Sequence, residues 1–203
     1  METAQPAYQE NYCLVGENTF QAAYRDALNR AREVLHNRDK ASCCAGGGAG
    51  LNRLNDNTTT IEICFLNKSL NITLPGFSFN AATQEETTSL WEQILILHYL
   101  ANSQQAALQN TLINYRRLRD GALYAEAFER RCIEPLLANF GPSPERLITA
   151  AAPLGGTPAD FADIAVRIPA LPRIEIICCL WKPDKEFGPE ATILFDAGAE
   201  DFL

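Results

Sequence analysis

The sequence has little of what metal sites and common catalytic motifs require. It contains only two histidines, His36 and His98, and none of its seven cysteines stand in the spacing C-x-x-C. Zinc-binding thiolates are usually separated by two to four residues, and H-E-x-x-H sites need two histidines one helical turn apart. The chain also has no EF-hand loop and no G-x-S-x-G nucleophile elbow. We therefore predict no metal site and no recognisable nucleophile–base pair.

Positive charge and long apolar runs are also scarce. There are 17 Lys and Arg against 25 Asp and Glu, which gives a formal charge of −8 at pH 7. Nucleic-acid binding relies on clustered Lys and Arg, so we predict no nucleic-acid partner. The longest apolar run, "LWEQILILHYLA" at 90–101, is too short to cross a bilayer, and the first twenty residues lack a basic region followed by an apolar one. We predict a cytoplasmic protein without a membrane partner.

The cysteines and glycines invite two chemical interpretations that their spacing does not favour. The cysteine count is odd and two pairs are adjacent, Cys43 with Cys44 and Cys178 with Cys179, which favours reduced thiols. The run "CCAGGGAG" at 43–50 has no Lys-Ser or Lys-Thr pair after it, so it does not match a phosphate-binding loop. We interpret residues 41–57 as a long Gly-rich loop, and a redox or ligand role for Cys43 and Cys44 stays open because thiols react in exposed loops.

Hydrophobic periodicity predicts the main elements. Between Thr19 and His36, apolar residues recur at spacings of three and four residues, which is typical of an amphipathic helix. A second helix is expected from about Glu85 to Asn102, capped by Thr87, Thr88 or Ser89, with one apolar face. That face comprises Leu90, Trp91, Ile94, Leu97 and His98.

The rest of the pattern alternates between helix and strand. A third helix is expected from Tyr124 to "FGP", with a kink at Pro135, and a short helix at "SPERLITAA". Segment "LQNTLINYRRL" is ambiguous between helix and strand. Strands are expected at 58–65, 70–75, 161–168 and 173–181. This order predicts a single α+β domain over 18–203, with a mostly antiparallel sheet and three main helices, after an extension at 1–17.

The stretch "IICCLWKPDKEFGPEATILFD" at 176–196 combines an apolar strand with a charged turn. Adjacent Cys178 and Cys179 would point to opposite faces of a strand, so we interpret them as small buried hydrophobes. Asp184 and Glu186 would be solvated in the turn, although a carboxylate pair of this kind can also share a proton or bind a hard cation. His98 falls on the apolar face of its helix, which favours a core histidine over a ligand or base.

Four blocks of the sequence carry a family resemblance. They are "ILHYL" at 96–100, "NYRRLRDGALYAEAF" at 114–128, "PALPRIEIICCLWKPDKEF" at 169–187 and "ILFD" at 193–196. Together they resemble the bacterial and archaeal domain-of-unknown-function family 3786, over roughly residues 18 to 203. The resemblance implies an occurrence mostly in anaerobes and a link to corrinoid and one-carbon metabolism, but no established activity.

The resemblance also implies a set of polar positions. They are His98, Tyr99, Arg116, Tyr124, Asp163, Asp184, Glu186 and Asp196. One arginine among acids and tyrosines suits the binding of a polar ligand, or equally an internal hydrogen-bond network. Some family members carry an iron–sulfur-type cysteine segment before this domain, whereas here Cys13 stands alone before the first helix. Because this segment is not matched here, the resemblance gives little support for binding of an iron–sulfur cluster.

Three functions follow as hypotheses. The first is a protein that binds a small polar molecule or cofactor. The second is an acid–base or thiol-dependent enzyme that uses His98 or Cys43. The third is an interaction or scaffold subunit. The cofactor, the partner proteins and the oligomeric state stay open at this stage.

Overall fold

The computed structural model describes residues 17–81, 88–104 and 106–203. The first part of the chain begins with helices α1 (Glu17–His36) and α2 (Lys40–Gly47). Strands β1 (Gly50–Asn55), β2 (Thr58–Phe65), β3 (Lys68–Leu74) and β4 (Ser78–Ala81) follow, and then helix α3 (Leu90–Asn102). The predicted first helix and the predicted 58–65/70–75 hairpin are present with nearly the expected bounds.

The four strands β1–β4 form an antiparallel sheet in sequence order, here called the first sheet. Alternation along β2 puts Ile61, Ile63 and Phe65 into the core, while Glu62 and Cys64 are exposed on the other face. Helices α1, α2 and α3 cover the inner face, and their buried side chains join the same core cluster. The first sheet is therefore covered by helices on one face, with an alternating sequence that reflects this.

The segment 41–57 is not the loop that its glycines predicted. Residues 40–47 form α2, capped at its start by Asp39, whose carboxylate accepts the Ser42 N–H at 3.0 Å. The glycines allow close packing: a Cβ at Gly46 would lie 2.0 Å from the carbonyl oxygen of Ser103 at the end of α3. Gly48 ends the helix with φ +64, the left-handed conformation that glycine adopts most easily. Tertiary packing overrides the low helix propensity here.

Helix α3 buries a different face from the predicted one. Ser89 is its N-cap, in a capping box with Glu92, as one of the predicted alternatives had it; the predicted start at Glu85 lies outside the described residues. Trp91 is 54% exposed and Ile94 only partly buried. The fully buried side chains cluster in the second half of the helix: Ile96, Leu97, Tyr99 and Leu100. Because α1, α2 and the first sheet all contact α3, it is buried on more than one side there and has no single apolar stripe.

The next part of the chain is mainly helical. Strand β5 (Leu112–Asn114) leads into a 3₁₀ turn (Tyr115–Arg117), so the ambiguous segment is a short strand and a turn. Helix α4 (Ala125–Phe128), a π-helical turn (Glu129–Ile133) and α5 (Glu134–Phe140) run without a break, followed by α6 (Arg146–Ala151). The predicted kink at Pro135 corresponds to this π turn, where the Glu134 N–H bonds to the Glu129 carbonyl five residues back.

The remaining strands form a second antiparallel sheet. They are β6 (Thr157–Ala159), β7 (Ile164–Leu171), β8 (Ile174–Trp181) and β9 (Glu190–Asp196), and the sheet order is β5-β9-β8-β7-β6. Cys178 lies on the face that packs against α6 and Cys179 on the opposite face, and both are buried. The prediction that the two thiols point to opposite faces of a strand agrees with this arrangement.

The two sheets meet at the β2–β3 turn. The Leu66 N–H donates to the Ala170 carbonyl at 3.0 Å, and Leu171 and Ile174 of the second sheet belong to the core of the first. Leu66 packs against both cores and holds a positive φ of 48°, as does Asn67 at 65°, which fits a two-residue hairpin turn. The fold is thus one α+β domain with antiparallel sheets, as predicted. In the described ranges, no helix combines the length and apolar character needed to cross a membrane.

Candidate functional site

A mainly apolar cleft of about 520 Å³ opens where the two sheets approach each other. Phe65 of the first sheet, Leu95 of α3, and Ile174 and Ile176 of β8 contribute to its walls. The remaining lining residues come from the 3₁₀ turn and the segment after it, β7, β9 and the last residues: Tyr115, Leu118, Arg119, Asp120, Ala170, Leu171, Phe195, Ala199, Glu200 and Leu203. Its volume lies in the range of small-molecule sites. We call it the junction cleft.

Two aromatic side chains of the junction cleft are fixed by a third. The Tyr115 ring stacks on Phe128 with centroids 4.0 Å apart and planes at 3°. Both rings meet Phe195 edge-on, at 6.5 Å from Tyr115 and 6.2 Å from Phe128. Edge-to-face contacts such as these two are a favoured aromatic geometry. This cluster ties the 3₁₀ turn, α4 and β9 into one rigid wall.

Charged groups stand at one end of the junction cleft. The Arg119 guanidinium lies 3.4 Å from the Glu200 carboxylate and 3.3 Å from that of Asp201. The Glu200 carboxylate also accepts the backbone N–H of Arg119. Asp120 follows at φ +57, and a Cβ on the next residue, Gly121, would lie 2.0 Å from the Tyr115 carbonyl oxygen. The turn therefore depends on glycine at 121 and fixes Asp120 beside the opening.

None of the eight predicted site residues lines the junction cleft. Tyr99 is fully buried: its hydroxyl donates to the Gly47 carbonyl at 2.7 Å and accepts the Arg173 N–H at 3.1 Å, while its ring stacks on Phe202. Burial raises the pKa of Tyr99 to about 12. His98, next to it on α3, is half-buried. Tyr99 therefore joins distant segments, which favours the internal-network alternative for this residue.

Asp196 is a hub of backbone hydrogen bonds. Its carboxylate accepts the N–H groups of Gln109 at 2.8 Å, Thr111 at 3.2 Å and Gly198 at 2.8 Å. It also lines a second cleft, of about 400 Å³, together with Arg167, Arg173 and Glu175. Arg167 and Glu175 form an ion pair across neighbouring strands. Asp196 thus holds the segment before β5 against the end of β9.

The charged turn after β8 uses its acids locally. The Asp184 carboxylate accepts the N–H groups of Glu186 at 2.8 Å and Phe187 at 2.7 Å, and these bonds lower the pKa of Asp184. Glu186 is exposed. Asp163 accepts the Lys182 N–H at 2.9 Å, near the same turn. The stretch 176–196 thus begins as a buried strand and continues into a solvated turn, in which Asp184 bonds to the backbone of the turn itself.

Arg116 and Tyr124 flank the junction cleft in sequence but do not line it. Arg116 is exposed on the 3₁₀ turn, and Tyr124 is 62% exposed before α4. The eight predicted positions thus fall in separate places, and their role as one ligand-binding set stays a prediction. Tyr115, Arg119 and Asp120 of the junction cleft lie inside the quoted block 114–128. The sequence signal for Arg119 and Asp120 was the "RDG" turn at 119–121, which lies between the ambiguous segment and the third helix.

The cysteines are placed for packing. Cys43, Cys44, Cys178 and Cys179 are buried, Cys132 is partly buried, and Cys64 is exposed. Burial raises the pKa of Cys43, and raises that of Cys44 and of Cys178 to about 11. The predicted loop around Cys43 is wrong, and the Cys43 thiol is not exposed, because α2 packs it into the core. Cys13 lies outside the described residues.

Within the described ranges, no three His, Cys, Asp or Glu side chains are grouped so that they could hold a metal ion.

Comparison with known proteins identifies the class of this chain. The profile of the family described as "Domain of unknown function (DUF3786)" matches residues 48–203, and the chain belongs to that family. No curated protein and no solved structure matches the chain. The family match starts at residue 48, directly after α2, whereas the resemblance seen in the sequence predicted a start near residue 18. Even so, Leu28, Ala31 and Leu35 of α1 are buried in the same core as α3.

Proposed function

We propose that this protein binds a small, mostly apolar molecule in the junction cleft. The observation that carries the proposal is the lining: apolar side chains from both sheets and α3 line about 520 Å³ of space, and its three charged residues, Arg119, Asp120 and Glu200, lie together. Ligand sites typically combine an apolar wall with a few polar groups that orient the ligand. The sequence favoured a polar ligand, whereas this lining favours an apolar body with one polar end.

Binding is favoured over catalysis by the chemistry of the lining. None of the described residues that line the junction cleft is histidine, cysteine, serine or threonine. A thiol mechanism at Cys43 is disfavoured, because burial raises the pKa of that thiol and the thiolate is the nucleophile. His98 does not line the cleft either. The enzyme hypothesis has no such support at this cleft.

The regular elements in the walls support a preformed site. Half of the fourteen lining residues lie on strands or on α3, and Tyr115 packs against Phe128 and Phe195; the others lie in the turn at 118–120 and among the last residues, at 199–203. A preformed site loses little conformational entropy on binding, so a modest contact area gives measurable affinity. We therefore expect a small apolar probe to bind without a large structural change.

A neutral fluorescent probe, N-phenyl-1-naphthylamine, tests the proposal. We expect a saturable rise in fluorescence with one site per chain. At a probe concentration 100 times the Kd, binding adds about 2.7 kcal/mol of stability, which raises the melting temperature by roughly 5–10 °C. Leu118→Trp narrows the junction cleft and should abolish both effects. Leu54→Trp is the matched control, since Leu54 is 64% exposed on the edge strand β1.

Equal probe binding in the two tryptophan variants, or no binding by the unaltered protein, contradicts the proposal. If Leu118→Trp does not fold, as judged by near-ultraviolet circular dichroism, Ala199→Leu narrows the same cleft with a smaller added volume. The predicted link to anaerobic metabolism leads to a second measurement. Mass spectrometry of small molecules that co-purify without oxygen would identify the natural ligand, and the Leu118→Trp variant should lack it.

A further inference from the structure

We infer that the ligand of the junction cleft carries a positive charge at its polar end. The inference rests on the proposed function, because it concerns the same cleft. It adds the chemical class of the ligand: an apolar or aromatic body with an ammonium or similar cationic group. The site is the junction cleft itself. Two observations indicate that it prefers a cationic ligand: the balance of charge in its lining and its aromatic walls.

The charged residues that line the junction cleft carry a net negative charge. Asp120 and Glu200 line the junction cleft, and Arg119 is the one cationic residue among the described lining residues. The Arg119 guanidinium is held between two carboxylates, Glu200 at 3.4 Å and Asp201 at 3.3 Å. Two carboxylates therefore pair with the one guanidinium, Asp120 adds a further carboxylate to the lining, and an incoming anion would have to displace existing ion-pair partners. A cation meets a net negative field instead.

The neighbouring basic residues do not reverse this balance. Arg116 and Arg117 lie on the same 3₁₀ turn as Tyr115, but both are exposed and neither lines the junction cleft. The chain as a whole carries a formal charge of −8, so its long-range field also attracts cations. The lining of the cleft and the chain as a whole thus carry net charge of the same sign.

Aromatic rings supply the second part of the preference. Phe65, Tyr115 and Phe195 all line the junction cleft. The faces of aromatic rings attract cations, with the largest effect where water is excluded. Because Phe128 stacks on one face of Tyr115, the orientation of that ring is fixed before any ligand arrives. A cation between these rings and Asp120 would gain both interactions.

Three compounds that share a naphthalene ring test the charge directly: 1-naphthylmethylammonium, 1-naphthylmethanol and 1-naphthoate. Titration calorimetry at low ionic strength should give the cation a Kd about 5-fold lower than that of the alcohol, with the anion weakest. Raising the salt concentration should reduce the difference between cation and alcohol, since screening weakens exposed charge interactions. The affinity of the alcohol should stay constant.

Asp120→Asn is the variant that isolates the charge. Asparagine tolerates the positive φ of 57° at this position, so the turn is retained while one carboxylate is lost. We expect the preference for the cation over the alcohol to fall about 3-fold. Asp56→Asn is the matched control: its carboxylate is fully exposed, pairs with Arg53 in the β1–β2 turn and does not line the cleft.

The outcomes separate the two proposals. If none of the three compounds binds, or if binding survives in Leu118→Trp, the proposed function is wrong and the charge inference falls with it. If all three bind equally and Leu118→Trp abolishes binding, the cleft is a binding site and the charge inference alone is overturned. Equal loss of cation preference in Asp120→Asn and Asp56→Asn would also overturn it, because net charge would then be the cause.

Discussion

The two sheets of this protein bury their neighbouring residues in opposite ways. In β2, Ile63 is 2% exposed, whereas the next residue, Cys64, lies on the solvent face. In β8, Cys178 and Cys179 are adjacent and both are buried, at 8% and 0% exposure. The first sheet has helices on one face only, while the centre of the second is buried on both faces. A strand with alternating sequence and a strand with a continuous apolar run thus reflect two packing environments in one domain.

The largest effect should come from aspartate at the buried positions of both sheets. Ile63→Asp, Cys178→Asp and Cys179→Asp each bury an unpaired carboxylate, which costs several kcal/mol against a total stability of roughly 5–15 kcal/mol. We expect loss of cooperative thermal unfolding in all three variants. Cys64→Asp should melt like the unaltered protein. A cooperative transition in Cys179→Asp would mean that the second sheet has an open face like the first.

The connection of the helices α2 and α3 to the β7–β8 turn of the second sheet should respond strongly to Tyr99→Phe. This change removes the hydroxyl that donates to Gly47 and accepts from Arg173, and it leaves both backbone groups without that partner. We expect a loss of about 1–3 kcal/mol, measured as a lower urea midpoint with an unchanged m-value. An unchanged midpoint would show that the stability of the fold does not depend on this connection.

The same side chain gives a pH dependence with a defined sign. The folded state raises the pKa of Tyr99 from its ordinary value of 10.0 to about 12, so it holds the phenol proton more tightly than the unfolded chain. This stabilisation is complete below pH 10 and is lost as the pH rises to about 12. Stability in that range should fall less steeply in Tyr99→Phe. Parallel slopes in the two proteins would contradict the assignment.

Within the second sheet, the two ends of β9 should differ. Asp196→Ala removes the acceptor of three backbone N–H groups, and we expect a loss of about 1–3 kcal/mol. Glu186→Ala, in the exposed turn before β9, should change stability by less than about 0.5 kcal/mol. Denaturant midpoints of the two variants measure the difference. Similar midpoints would mean that Asp196 is not the hub described above.

The smallest perturbation is alkylation of the thiols. In a Cys13→Ser background, iodoacetamide at neutral pH should modify Cys64 first, because it is exposed on the first sheet. Cys44 and Cys178 should react last, since burial raises their pKa to about 11 and blocks access. Peptide mass spectrometry gives the order. Rapid labelling of Cys178 would show that the second sheet opens readily on that face.

Sequence patterns were sufficient where local and tertiary preferences agree. The β2–β3 hairpin alternates as a half-buried pair should, and β7 and β8 are mostly apolar strands joined by a turn at Pro172 and Arg173. Helix α2 was missed because Gly46 and Gly47 indicate a loop in isolation. Only the close approach to Ser103 and Tyr99 explains why glycine is needed there. Sequence periodicity contains no information about such a distant contact.

The junction cleft was beyond the reach of local reasoning for a related reason. Phe65, Leu95, Tyr115 and Phe195 lie far apart in the sequence, and each is an ordinary apolar residue of its own element. Their common feature appears only when the sheets pack together. The charged positions singled out in the sequence, such as Asp184 and Asp196, instead satisfy backbone N–H groups nearby. Polar residues were easier to notice than the apolar wall that forms the cleft.

The contacts of Tyr99 have a consequence for how the chain acquires its structure during synthesis. Its hydroxyl bonds to residues 47 and 173 and its ring stacks on Phe202, so the partners span most of the chain. Such long-range contacts form slowly, and a nascent chain folds only as far as its partners have left the ribosome. We expect α3 to remain without its complete packing until residue 202 has emerged. Arrested ribosome complexes that display 170 or all 203 residues should therefore differ sharply in the protease resistance of α3.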